Sequence, residues 1–170
     1  GIVRLNPLFS PYHLGEDITI HSGSMVEILP GVELTLSVDS EILVEGRLHV
    51  DDAWIGGTGS NGIKAMNGGL IEMYNGYYSG GPLKIRSGGT AQLTNLSVND
   101  AEVSVSSSTQ EAILVIEGGQ IHQSDICLRA QDEQAILDIR LTSINACGIV
   151  GIWATSAQLN LENIILGSQT

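Results

Sequence analysis

From Ala135 to Leu161 the chain reads AILDIRLTSINACGIVGIWATSAQLNL: apolar and polar residues alternate, break off, and alternate again. A period of two is that of a strand with one face buried and one solvated. The phrase recurs, each time opening on a small residue: AQLTNLSV at Ala91, AILVIEGGQI at Ala112, AILDIRLTSI at Ala135 and AQLNLENIIL at Ala157. The spacings are 21, 23 and 22 residues, and Gly69 in GLIEMYNG stands 22 before Ala91. Two positions after each anchor come Ile71, Leu93, Leu114, Leu137 and Leu159; four after come Met73, Ile116, Ile139 and Leu161, with Asn95 the exception. Between anchors lies a second alternating segment: PLKIRSG, AEVSVSS, DICLRAQ, GIVGIWA. Turn residues punctuate the strands: Ser87-Gly88-Gly89, Ser106-Ser107-Ser108, Gly118-Gly119, Asp132-Glu133. No window carries an apolar stripe of helical period, so essentially no helix is predicted.

A repeat of about 22 residues holding two or three short strands predicts a coil of strands, with equivalent residues of successive coils about 4.8 Å apart. Inward positions then stack as ladders of Leu and Ile. No coil can bury its apolar face alone, so each supplies its neighbour's partner surface. An antiparallel sandwich also uses short alternating strands. It has no reason to hold a constant spacing with matched anchors.

The chain is expected to form one domain over residues 1–170: an N-terminal cap and first coils in 1–36, an irregular long turn in 51–69 that breaks the period, and regular coils in 69–170. LNPLFSPYHL, whose Pro7 and Pro11 cannot donate to a strand ladder, is the expected cap. The last segment, LNLENIILGSQT, stops within a repeat, so the chain is expected to be a piece of a longer protein or to have this end covered by a partner.

Composition fits a narrow aliphatic interior. Apolar residues make up 42% of the chain but aromatics only 4%, with one Phe. With 21 Gly against 4 Pro, many tight turns are expected. The 19 acidic residues outnumber the 7 basic ones, for a net charge of −12. Such a surface repels phosphate backbones and anionic lipids, which argues against nucleic acid as a partner. No apolar run is long enough for a membrane-spanning helix, so no membrane insertion is expected. Cys127 and Cys147 fall near neighbouring coils but out of step by about two residues in a stacked arrangement. They are expected to be free thiols packed as small apolar groups. Asn95-Leu96-Ser97 is a glycosylation sequon.

The stretch LDIRLTSINACGIVGIWA (137–154) resembles the repeats of the right-handed parallel β-helix proteins of the pectin-lyase-like family. SPYHLGEDITIHSGSMVEILPGVELTL (10–36) and ILVEGRLHV (42–50) resemble the opening coils of surface and secreted β-helices, such as bark beetle-type animal junction proteins and bacterial exported proteins. The resemblance covers nearly the whole chain. It implies an all-β, single-stranded right-handed parallel β-helix, a solenoid of about six to seven coils of about 22 residues. With the acidic, lysine-poor composition it also implies an extracellular or cell-surface location.

Candidate chemistry is sparse. GTGSNG (57–62) matches G-x-G-x-x-G, but IKAMNGGL follows it with no helical stripe to hold a pyrophosphate, so a surface loop is expected. His13, His21, His49 and His122 have no metal-ligand spacing, and no metal site is predicted. Ser106-Ser107-Ser108-Thr109 lacks the frame of a nucleophile elbow. The pairs Asp51-Asp52 and Asp132-Glu133 are the candidates for Ca²⁺; otherwise no cofactor is expected. Lyases of the resembled family pair bound Ca²⁺ with a proton-abstracting base. Here Lys64, Lys84 and Arg86 are the basic residues of the middle of the chain; Lys84 and Arg86 share the outward face of one strand, with no acidic cluster visibly beside them. Trp54, Tyr74, Tyr77 and Tyr78 gather in and after the long turn, where Asn75-Gly76 can make a tight turn presenting tyrosines on either side. These four are the candidate ligand-binding residues, because aromatic faces on a polar surface suit sugars and protein partners. Trp153 is expected to pack.

No catalytic residues are assigned. The expected function is a non-catalytic extracellular structural or adhesive module that presents a rigid acidic surface to a glycan, a protein or further domains of the same chain. The alternative is a polysaccharide lyase or glycoside hydrolase domain of the resembled family. The outward side chains of one sheet discriminate: clustered Asp/Glu with Lys/Arg favours the enzyme, and an unbroken Ser/Thr/Asn/Gln surface favours the module.

Overall fold

The computed structural model describes residues 1–79 and 81–167. The described chain is a right-handed parallel β-helix of about seven coils, with three sheets as its walls. The first sheet stacks Ile2–Leu5, Met25–Ile28, Arg47–Asp51, Leu70–Tyr74, Thr90–Thr94, Ala112–Glu117, Ala135–Arg140 and Gln158–Glu162. The second stacks Tyr12–Leu14, Glu33–Leu36, Trp54–Gly56, Tyr77–Ser79, Ser97–Asn99, Gln120–His122, Ser143–Asn145 and Ile165–Leu166. The third stacks Ile18–Ile20, Glu41–Val44, Gly62–Ala65, Leu83–Ile85, Val103–Ser106, Ile126–Gln131 and Val150–Thr155. The pairing is parallel throughout, as a chain winding in one sense requires.

Alternation decides what each strand buries. In the first sheet Ile71, Ala91, Leu114, Leu137 and Leu159 form one inward column, and Met73, Leu93, Ile116, Ile139 and Leu161 the next. Burying one such Leu, Ile or Met side chain is worth about 1.5–3 kcal/mol, and the columns repeat the gain from coil to coil up to Leu159 and Leu161, which stay 38% and 50% exposed.

The observed register differs from the anchor alignment at one place. Ala91 stands opposite Leu114, not Ala112; Gly89 occupies the position of Ala112 and Ala135. A slip of two residues keeps every side chain on its own face, so the inward set is unaffected. It also removes the exception at Asn95: Leu93 fills the second inward column, and Asn95 turns the corner with φ of 51°.

Three expectations about segments are corrected. Residues 51–69 are no irregular turn; they contain the strands Trp54–Gly56 and Gly62–Ala65 of an ordinary coil, and only its 57–61 corner is long. The segment expected to cap the N-terminal end does not fold over it. Pro7–Phe9 forms a 3-10 turn beside the first coil with Leu8 84% exposed, and the bore opens onto an apolar hollow of about 180 Å³ lined by Leu5, Tyr12, Leu14 and Ile20. Cys127 and Cys147 are not free thiols; they form a disulfide between fully buried residues with Cα atoms 5.8 Å apart. Cys147 is the second residue of the corner after Asn145 and Cys127 the second of the strand Ile126–Gln131, so the bridge joins a corner to the strand one coil before it.

Candidate functional site

Two adjacent coils, 47–56 and 70–79, bring the predicted aromatics to the corner between the first and second sheets. The outward column of the second sheet runs Glu33, Trp54, Tyr77, Ser97. The rings of Trp54 and Tyr77 are parallel within 4°, their centroids 6.3 Å apart. Trp54 is 38% exposed and its six-membered ring lies across Gly56, where a Cβ would come within 2.3 Å of Cη2 and Cζ2. Glycine at 56 therefore lets the indole lie down on the sheet. Beside the rings is a shallow groove of about 360 Å³ lined by Glu33, Asp52, Trp54, Asn75 and Tyr77. Asp52 and Asn75 turn the corner in the left-handed conformation, with φ of 43° and 54°, which Asp and Asn tolerate better than most residues.

The other two predicted tyrosines separate from this pair. Tyr78 points into the bore, where it is 1% exposed and burial pushes its phenol well above the usual range; it cannot offer a ring to a ligand. Tyr74 lies on the first sheet, around the corner from Tyr77. Its ring tilts against His49 at 5.5 Å, and burial, aided by the Glu72 charge, raises its pKa.

Sequence reasoning treated the histidines as isolated. The register sets His49 between Glu27 and Glu72 in an outward column of the first sheet. Arg47 Nε donates to Glu72 Oε2 at 2.6 Å, His49 Nδ1 lies 3.6 Å from the same oxygen, and Arg4 pairs with Glu27. The signal was present: Glu27, His49 and Glu72 are spaced by 22 and 23 residues, one coil each. Among the described residues no three His, Cys, Asp or Glu side chains converge as metal ligands. Asp132 turns a corner with φ of 73° and accepts from Ser106 Oγ at 2.6 Å.

The third sheet carries the second charged patch. Glu41 pairs with Lys64 at 2.8 Å and lies 3.9 Å from Lys84; Glu102 accepts from Arg129 at 2.9 Å. The basic spot expected at Lys84 and Arg86 therefore does have acidic neighbours, which come from coils one or two periods away. Trp153, expected to pack, faces outward and lies beneath the Arg129 guanidinium, 4.7 Å from ring centroid to Cζ. The 57–62 glycine motif forms a corner followed by a strand, with no helix N-terminus. Asn95 of the sequon is exposed at its corner. Compared with protein-family models, curated proteins and solved structures, the chain matches none.

Proposed function

We propose that this chain is a non-catalytic structural or adhesive module of the extracellular space, and that the Trp54–Tyr77 pair is its contact surface for a glycan. The single observation that carries this reading is the parallel alignment of two outward rings over a groove edged by Glu33, Asp52 and Asn75. The C–H face of a pyranose is apolar and stacks on an aromatic ring. Its hydroxyl rim needs acceptors, which the two carboxylates and the amide supply. Rigid strands hold these groups at fixed distances, so little ordering cost opposes binding. The buried disulfide fits an oxidising compartment, and the resemblance to surface and secreted β-helices fits the same location. No cofactor enters the proposal, and a protein or further domains of the same chain are partners of the same rigid surface.

A glycan array followed by titration of any hit with Trp54→Ala tests it. The expected result is at least a tenfold loss of affinity, about 1.4 kcal/mol. Unchanged affinity in Trp54→Ala, or no hit at all, would reject the site.

A second reading rests on one observation: the third sheet mixes Lys64, Lys84 and Arg129 with Glu41 and Glu102, the clustering that favours a polysaccharide lyase or hydrolase. A reducing-sugar release assay on acidic polysaccharides decides it. Release that disappears in Lys84→Ala supports the enzyme; no release from any of them supports the module.

A further inference from the structure

Asn95-Leu96-Ser97 is the chain's single N-x-S/T triplet, and the fold sets it beside the groove of Trp54 and Tyr77. Asn95 stands exposed at the corner between the first and second sheets, in the left-handed conformation with φ of 51°. Leu96 is buried beneath it, and Ser97 follows on the outward face, in register with Tyr77. The Asn95 amide lies along the row of corners. Its Nδ2 turns to the coil before it, 3.4 Å from Asn75 Oδ1, and its Oδ1 to the coil after it, where a Cβ on Gly118 would come within 2.3 Å. Asn75 is itself exposed and lines the groove. The nitrogen therefore faces the aromatic site. Tyr77 stands one coil back and Trp54 two, at about 4.8 Å per coil.

We propose that Asn95 carries an N-linked oligosaccharide whose first sugars fold back over Tyr77 and Trp54, so that the chain fills its own glycan groove. The inference rests on the sugar-binding reading of that groove and names the glycan and its source. Such a triplet accepts sugar in the secretory compartment of eukaryotes, and the buried Cys127–Cys147 disulfide is an independent sign of an oxidising compartment of that kind. Transfer comes from an oligosaccharide carried on a lipid diphosphate. The bond from sugar C1 to the diphosphate oxygen breaks, C1 bonds to Asn95 Nδ2, the nitrogen gives up one proton, and the lipid diphosphate leaves with the electron pair. The exposed corner keeps the attached sugar outside the hydrogen-bonded wall. The first sugars are uncharged, so Glu33 and Asp52 accept from their hydroxyls without repelling them. Attachment holds them at an effective concentration of about millimolar, so even a stacking contact of millimolar strength fills the groove in about half of the molecules. The attached glycan thereby regulates the site: a foreign glycan has to displace it.

The chain secreted from a eukaryotic cell line tests this by two measurements. Peptide mass mapping is expected to find an oligosaccharide on Asn95 that is lost in Ser97→Ala and kept in Ser97→Thr. Nuclear magnetic resonance is expected to show the protons of its first sugars shifted upfield by the aromatic rings, with Trp54→Ala and Tyr77→Ala each removing part of that shift. Asn95→Asp also lacks the triplet and keeps the left-handed corner; it replaces Ser97→Ala if circular-dichroism melting shows the latter unfolded. On a glycan array the Ser97→Ala chain is expected to bind about twofold or more tighter than the glycosylated one. No sugar on Asn95, or sugar protons that the rings leave unshifted, overturns the proposal whatever the array shows. The two readings fail separately. Ring-shifted sugars on a chain whose Ser97→Ala form binds nothing on the array uphold the proposal and reject the adhesive contact. Array binding that Trp54→Ala abolishes, with unshifted sugars, upholds the contact and overturns the proposal.

Discussion

Two of the three corners of the coil differ in kind. From Asp52 onward, every corner between the first and second sheets has two residues. The first of the pair is left-handed: Asp52, Asn75, Asn95, Gly118, Leu141 and Asn163 all have φ between 43° and 70°. The second passes its carbonyl to the next coil, as Ala53 does to Tyr77 N and Gly76 to Ser97 N, both at 3.0 Å. The corners between the second and third sheets hold three to five residues, and one of them carries Cys147, whose disulfide partner Cys127 lies in the adjoining strand of the third sheet. The uniform corner is part of the hydrogen-bonded wall. The variable corner is a surface loop that absorbs differences in length. A candidate ligand site needs fixed distances, and Trp54 and Tyr77 follow the uniform corner directly.

The largest effect that separates the two kinds is insertion. One glycine added between Asn75 and Gly76 shifts the following strand by one residue and turns its buried set outward. A loss of roughly 3 kcal/mol or more is expected in urea unfolding, given what overpacking and exposed core residues cost. The same glycine after Thr58, in the five-residue corner, should cost only about 0.5 kcal/mol, since loop closure depends weakly on length.

Removal of the disulfide comes next. The double variant Cys127→Ala/Cys147→Ala opens a loop with a sequence separation of 20 residues. The expected loss is about 3 kcal/mol in the same denaturation experiment. If stability were unchanged, the variable corner would be held by packing alone.

Gly119→Ala tests the crowding of the uniform corner. Its φ is 78°, and a Cβ would lie 2.2 Å from the Leu96 carbonyl oxygen, so the backbone itself must move. A loss of about 2 kcal/mol is expected, combining left-handed strain and overpacking.

The smallest effect has the opposite sign. Leu141 holds the left-handed position with φ of 52° while 62% exposed, the least suited residue in that column. Leu141→Asn should raise stability by about 1 kcal/mol and shift the thermal midpoint upward. A lower midpoint would mean that the leucine makes a contact worth more than its strain.

Legibility followed the same division. Ala112, Ala135 and Ala157 revealed the coil because strand and uniform corner together keep the period nearly constant. Ala91 misled by two residues because only 20 residues separate Gly69 from Gly89, and a period-of-two pattern does not register an even slip. The long 57–61 corner hid an ordinary coil inside what read as an irregular turn. Trp54 and Tyr77 were legible as outward aromatics. Their pairing was not, since it depends on register and on the space above Gly56. Tyr78 was misjudged because grouping YY as one feature ignored that consecutive strand residues face opposite ways. Cys127 lies in a strand and Cys147 in a corner one coil later, so a comparison of equivalent positions does not bring them together. His49 with Glu27 and Glu72, and Arg129 with Glu102, required reading the sequence one coil at a time.

The stacking of coils is tested most directly by distances along one outward column. Gln92, Val115, Asp138 and Asn160 follow Arg4, Glu27, His49 and Glu72 in register on the first sheet. Spin labels placed in pairs, with Asn160 as the fixed partner and Glu72, His49 or Glu27 as the other, report their separation by pulsed dipolar spectroscopy. Parallel coils predict that each step of one coil lengthens the distance by about 4.8 Å. Distances that fail to grow in equal steps, or that shorten as sequence separation increases, would contradict the β-helix and the surface built upon it.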